Sequence, residues 1–141
     1  MHNVFEHYFS TEQLKDIGSL LTEENLFSIK NALDNLGIEA FITSDSEEIL
    51  NSKGAILPGV GSFNDCKSNL LNRVGLIEAM EERVLKDGKP FLGICVGHQL
   101  MASIGLENGS GTSGLNWISG IVKKIEPSDK ALKIPHMGWN T

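Results

Sequence analysis

Cysteine is scarce in this chain, and the scarcity narrows the chemistry at once. Of 141 residues only Cys66 and Cys95 are cysteine, and neither stands in a C-x-x-C or related metal-ligand spacing. A disulfide framework and a zinc site are both unexpected on that count. Cys66 reads as a spare thiol, and no metal or cofactor is expected. Basic charge is sparse and scattered, 12 Lys and Arg against 18 Asp and Glu for a net charge of -6, so there is no stripe of the kind a nucleic-acid surface needs. Long apolar runs are missing too: none approaches the ~20 residues that span a bilayer. The amino end "MHNVFEHYFSTEQ" lacks the basic region and apolar stretch of a secretory signal, and the expectation is a cytoplasmic protein. The length suits one domain with a real core, and the chain shows no internal repeat or low-complexity segment.

What is present is an alternation of short apolar runs with amphipathic stretches. "TEENLFSIKNALDNLG" predicts a helix, with Thr22 as N-cap, Glu23 and Glu24 in the first turn, Leu26, Ile29, Leu33 and Leu36 on one face, and Gly37 as the stop. "IEAFI" reads as a strand, "DSEEILN" as a short helix and "GAILP" as a buried strand running into a glycine-rich loop. "VGLIEAMEERVLKDG" predicts a further helix closed by Gly88, after which "PFLGIC" reads as a strand and Gly97 to Ala102 as a helix. The glycine-, serine- and asparagine-rich stretch from Gly105 to Gly120 suggests a mobile surface segment. "GIVKKI" and "ALKIP" read as two strands, paired as a hairpin. The expected fold class is α/β, a mostly parallel doubly wound sheet with helices on both faces.

Two stretches carry chemistry. In Gly93-Ile94-Cys95-Val96-Gly97 a strand meets a helix at a corner so tight that the positions two before and two after the central residue lack side chains. A cysteine there is pushed out of the sheet edge, beside the N–H groups and the positive end of a helix, which favours thiolate and attack on a carbonyl. A small buried hydrophobe at an ordinary strand end is the alternative reading. In "LPGVGSF", Pro58, Gly59 and Gly61 surround the single side chain of Val60. So bare a loop can bring backbone N–H groups up to a ligand, as an oxyanion hole requires, although a plain β-to-α turn has the same composition. The N–H groups of Val60 or Gly61, with that of Val96, are the candidate donors.

These segments resemble a known family. "PFLGICVGHQLMA" looks like the nucleophile segment of class I (triad) glutamine amidotransferases, and "LPGVGSF" looks like their oxyanion loop. "KIPHMGWN" narrows the resemblance to the glutaminase subunits of imidazole glycerol phosphate synthases. It runs from about Asn25 to Asn140, with the three motifs in the right order. It implies a flavodoxin-like fold, residues 1–24 as a divergent amino-terminal segment and residues 25–141 as a partial amidotransferase domain. By the resemblance Cys95 is the nucleophile that attacks the carboxamide of glutamine, Gln99 contacts that substrate, and Val60, Gly61 and Val96 surround the oxyanion. Met137, Trp139 and Asn140 face a HisF-type cyclase subunit, the partner that uses the released ammonia to make imidazole glycerol phosphate. Trp139 reads equally as a core residue.

Departures from the family pattern set further expectations. The histidine base and its orienting carboxylate lie in family members downstream of "PHMGWN", and this chain stops at Thr141; it reads as truncated and, given glutamine alone, is expected to release almost no ammonia. The first strand expected before Asn25 has no counterpart that sequence alone can align. His98, on the turn after Cys95, points along its helix rather than at the sulfur, and His136 reads as structural. Three other readings remain: an amidotransferase of the same type serving another synthase, such as one of surface-sugar biosynthesis; an inactive remnant that still binds its partner; and a cysteine-elbow protein of the DJ-1 kind.

Overall fold

The computed structural model describes residues 18–20, 26–107, 109, 111–129, 131–135 and 138. In chain order the elements are β1 (Gly18–Leu20), α1 (Leu26–Asn35), β2 (Ile42–Thr43), α2 (Ser46–Asn51), β3 (Ala55–Gly59), α3 (Phe63–Leu71) and α4 (Leu76–Glu81), which continues as a π-helical stretch over Glu82–Lys86. There follow β4 (Phe91–Cys95), α5 (Val96–Gln99), β5 (Ala102–Gly105), β6 (Thr112–Ser113) and β7 (Ile118–Val122). Local chemistry explains several boundaries. Asp45 caps α2 by accepting from the Glu47 N–H at 2.8 Å, Ser62 caps α3 by accepting from the Asp65 N–H, and Gly37 ends the α1 turn at φ +71, where a side chain would be strained.

Four strands form a parallel sheet in the order β2-β1-β3-β4. Because successive side chains point to opposite faces, Ile56 joins Leu33, Ile38 and Ala40 on one face, with Leu92 and Ile94 packed against them. Leu57 joins Ile49, Phe63, Leu70, Leu76, Met80 and Leu100 on the other, with Phe91 packed against that cluster. One helix, α1, therefore covers the first face, and α2 to α5 cover the second. This is the doubly covered parallel sheet expected from the alternation, in the strand order of flavodoxin-like folds. Among the described residues no helix is long and apolar enough to cross a membrane.

A second sheet has the order β6-β5-β7, with β5 antiparallel to β6 and parallel to β7. It corrects three expectations. The helix expected from Gly97 to Ala102 ends at Gln99, because Ala102 to Gly105 pair as β5. The stretch expected to be mobile is tied down from Gly114 to Trp117, where the N–H groups of Gly114, Leu115, Asn116 and Trp117 bond to the carbonyls of Ser103, Leu100, Ala102 and Met101. Two of its glycines serve close contact, since a Cβ on Gly105 would lie 2.6 Å from the Phe63 ring and one on Gly114 would lie 2.0 Å from the Ala102 carbonyl oxygen. The expected hairpin is absent among the described residues, as β7 takes β5 as its partner and residues 131–135 form no strand.

Two smaller corrections concern the amino-terminal half. Leu36, expected on the buried face of the first helix, is 47% exposed, since α1 stops at Asn35 and the chain turns away. The "IEAFI" strand shortens to Ile42–Thr43, although Ile38 and Ala40 are buried. The central strand that seemed to have no counterpart is present as β1, between β2 and β3. Three residues, Gly-Ser-Leu, carry no readable alternation, and pairing on both sides defines them. The proposed N-cap Thr22 and its neighbours Glu23 and Glu24 lie outside the described residues.

Candidate active site

β3 and β4 pair in parallel from Ala55 opposite Phe91 to Gly59 opposite Cys95. The register brings the start of the "VGSF" loop beside the cysteine, at the carboxyl ends of the strands, where ligands bind in open α/β sheets. Cys95 is exposed and free and has φ 54 and ψ -120. Such a conformation is strained for any residue with a side chain, and it persists where packing over-determines it.

Three glycines supply that packing. A Cβ on Gly97 would lie 1.8 Å from the Leu57 carbonyl oxygen, one on Gly93 would lie 2.6 Å from the His98 Cα, and one on Gly59 would lie 2.7 Å from the Gly97 nitrogen. The first turn of α5 is thus pressed onto the backbone of β3 and β4, which is why the corner tolerates glycine alone at these positions. Val96 buries its side chain in the cluster around Leu57, beside Cys66 and Phe63, and so anchors the turn from below. The helix expected behind the cysteine is only the four residues of α5. Its dipole is correspondingly small, and what the turn offers the sulfur is the N–H groups at its start.

The facing loop is held at several points. Gly61 has φ +90, a region open to glycine. The buried Cys66 thiol donates to the Val60 carbonyl at 3.1 Å, the Ser62 hydroxyl accepts from the Asp65 N–H at 3.1 Å, and the Phe63 N–H donates to the Glu107 carboxylate. Burial pushes the Cys66 thiol above its ordinary pKa, and the charges of Asp65, Cys95 and Glu107 add to that rise. Cys66 is therefore no idle thiol: it sits under the loop and within electrostatic reach of Cys95.

Beside the corner a cavity of about 290 Å³ is lined by Phe63, Gln99, Glu107, Val122, Lys123 and Lys124. Gln99 links it to the elbow, since it ends the turn that begins after Cys95. Sequence reasoning singled out Gln99 and missed the rest. Glu107 had a signal, as the one charged residue between 105 and 120; Lys123 and Lys124 had none, because which strand neighbours them depends on the pairing of β5 with β7. His98 is exposed on α5 and is the sole histidine among the described residues. His136, Met137, Trp139 and Asn140 lie outside the described residues. No cluster of three or more His, Cys, Asp or Glu suited to a metal occurs among those described.

Comparison with known proteins agrees with this geometry. Residues 21–141 match the family model Glutamine amidotransferase class-I. The chain is 46% identical over 136 residues to "Imidazole glycerol phosphate synthase subunit HisH" of Caulobacter vibrioides, covering 92% of this chain and 61% of that one. The protein of the same name in Rhodospirillum rubrum is 46% identical over 123 residues, covering 83% and 57%; that in Brucella abortus is 42% identical over 123 residues, covering 87% and 56%. The chain thus spans between 56% and 61% of the length of these curated relatives. Among solved structures, the crystal structure of the "Putative Peptidase E Protein" of Listeria monocytogenes EGD-e superposes with a TM-score of 0.61 at 18% identity, covering 82% of this chain and 68% of that one, a likeness of fold. The elbow, the glycine loop facing it and a family match over most of its length lead to one conclusion: the chain belongs to the class-I glutamine amidotransferases.

Proposed function

We propose that the chain is the glutaminase part of an imidazole glycerol phosphate synthase, of the HisH type, which hydrolyses glutamine to glutamate and passes ammonia to a HisF-type cyclase subunit. The observation that carries this reading is Cys95 at φ 54, opposite Gly59 in register, at the mouth of the "VGSF" loop. In this reading residues 25–141 form the amidotransferase part, residues 1–24 are a divergent segment whose strand β1 joins the same sheet, and Met137, Trp139 and Asn140 belong to the face toward the cyclase.

The chemistry follows from the arrangement. The Cys95 thiolate attacks the carboxamide carbon of glutamine, and the carbonyl oxygen becomes an oxyanion that accepts hydrogen bonds from the N–H groups of Val96 and of Val60 or Gly61. Collapse of the tetrahedral adduct breaks the C–N bond, the nitrogen takes up a proton and ammonia leaves. Water then attacks the thioester, releasing glutamate and restoring the thiol. The cavity beside Gln99 suits the rest of the substrate: Glu107 offers a carboxylate to an α-ammonium group, and Lys123 and Lys124 offer ammonium groups to an α-carboxylate. Proton transfer needs a base within hydrogen-bond reach of the sulfur; His98, exposed and on the turn behind Cys95, is a poor candidate for it.

The test is glutamate release from glutamine by the full chain, with and without a HisF-type cyclase, using Cys95→Ala as the blank. Release close to the Cys95→Ala blank from the chain alone, rising in a Cys95-dependent way when the cyclase is added, is the expected result. Release that persists in Cys95→Ala, or an absence of any cyclase complex, counts against the reading.

A further inference from the structure

Cys66 is the buried one of the two free cysteines, and the proposed chemistry leaves it without a task. Its thiol lies on α3, within the cluster that contains Leu57, Phe63 and Val96, and it donates to the Val60 carbonyl at 3.1 Å. The peptide between Val60 and Gly61 is not among the cis bonds of the chain. In a trans peptide the C=O and the N–H of the unit point in opposite directions. Drawing the Val60 carbonyl inward to a buried thiol therefore turns the Gly61 N–H outward, and Val60, Gly61 and Cys95 are each exposed.

We propose that Cys66 is a positioning residue of the oxyanion hole: its thiol fixes the orientation of the Val60–Gly61 peptide and so aims the Gly61 N–H at the side where Cys95 attacks. The inference rests on the glutaminase reading above and deepens it. Independent geometry supports the placement. Gly59 stands opposite Cys95 in the parallel register and touches the Gly97 backbone, which brings the following peptide next to the elbow. Gly61 at φ +90 can follow this peptide orientation without strain, as no residue with a side chain could. The bonds at Ser62 and Phe63 hold the far end of the loop; the Val60 carbonyl itself is held by Cys66. Burial keeps that thiol protonated at neutral pH, so it remains a donor rather than a repelling anion under a carbonyl oxygen.

The distinguishing experiment compares two reagents on the full chain. A γ-glutamyl p-nitrophenyl ester acylates Cys95 through a tetrahedral oxyanion, whereas iodoacetamide alkylates the same sulfur by displacement at a saturated carbon and needs no oxyanion hole. Both rates are read by mass spectrometry at Cys95, with Cys95→Ala as the blank. Cys66→Ala and Cys66→Val, which lack the donor, are expected to slow acylation about tenfold or more while alkylation changes less than about twofold. Cys66→Ser, which keeps a donor in place, is expected to restore acylation toward the starting rate. A packing role alone would slow both reagents together, and that outcome overturns the proposal, as does Cys66→Ala acylating at the unsubstituted rate or Cys66→Ser behaving like Cys66→Ala. If the unsubstituted chain shows no Cys95-dependent acylation, the glutaminase reading fails first and takes this inference with it, so the two failures are told apart.

Discussion

In the parallel sheet every residue of β3 is buried, whereas β7, in the second sheet, is exposed at four of its five positions. The first sheet is clothed by helices on both faces and gains its stability from side chains removed from water. The second is held by main-chain bonds between residues 100–103 and 114–118, and it presents Ile118 and Ile121 to solvent. The difference explains where the chemistry sits. An elbow with a strained residue needs surroundings that cannot yield, and the backbone contacts of Gly59, Gly93 and Gly97 supply them only where β3 and β4 are packed from both sides. The second sheet contributes cavity-lining groups, Glu107 just after β5 and Lys123 just after β7, for which a looser hold suffices.

The packed sheet is most sensitive at Gly97. Its Cβ would overlap the Leu57 carbonyl, a backbone atom that cannot swing aside, so Gly97→Ala is expected to destabilise by more than about 3 kcal/mol in urea unfolding, or to prevent folding. A tolerated Gly97→Ala would show that the elbow is softer than its contacts imply. Next comes the core under β3: Met80 is fully buried, and Met80→Ala is expected to cost about 3 kcal/mol. Ile121 in β7 is 59% exposed, so Ile121→Ala should cost at most about 1 kcal/mol by the same measurement. Equal losses at Met80 and Ile121 would erase the distinction between the two sheets.

A smaller effect concerns pH. The Cys66 pKa is raised above its ordinary 9.0 in the folded chain, so folding favours the protonated thiol. The associated stability is present below the unfolded pKa and drains away as pH rises through the folded one, where unfolding releases a proton. Lys67, whose pKa burial lowers, acts in the opposite sense, since its penalty is relieved as pH rises. The Cys66 contribution is therefore read as a difference: between pH 8 and pH 10 the unsubstituted chain should lose more stability than Cys66→Ser. Smallest of all, Gly120 in β7 has open space where a Cβ would go, and Gly120→Ala should be neutral or stabilise by about 0.5 kcal/mol.

Much of this was legible in residue order. The alternation of apolar runs and amphipathic stretches announced a parallel sheet covered on both sides, and the run Ala55 to Gly59 is buried throughout, as a central strand should be. Gly93 and Gly97 around Cys95 marked the corner, because glycine spacing around a nucleophile is a local requirement of a tight turn. The illegible parts share one physical cause. β1 is defined by neighbours on both sides rather than by its own three residues. Ala102 to Gly105 carry a helix-like continuation of α5, yet pairing with β6 and β7 makes them a strand. Gly114 looked like flexibility and is instead a close contact with the Ala102 carbonyl.

By itself, then, the sequence determined the class of fold, the corner at Cys95 and the bare loop opposite it, since each follows from side chains present or missing within a few residues. It is the packed fold that sets Gly59 across from Cys95, gathers Glu107, Lys123 and Lys124 with Gln99 around one cavity, and lays the Cys66 thiol under the Val60 carbonyl. The first two relations join residues far apart in the chain and the third depends on how the loop folds back over α3, so strand pairing and burial, which act through space, are what bring them together.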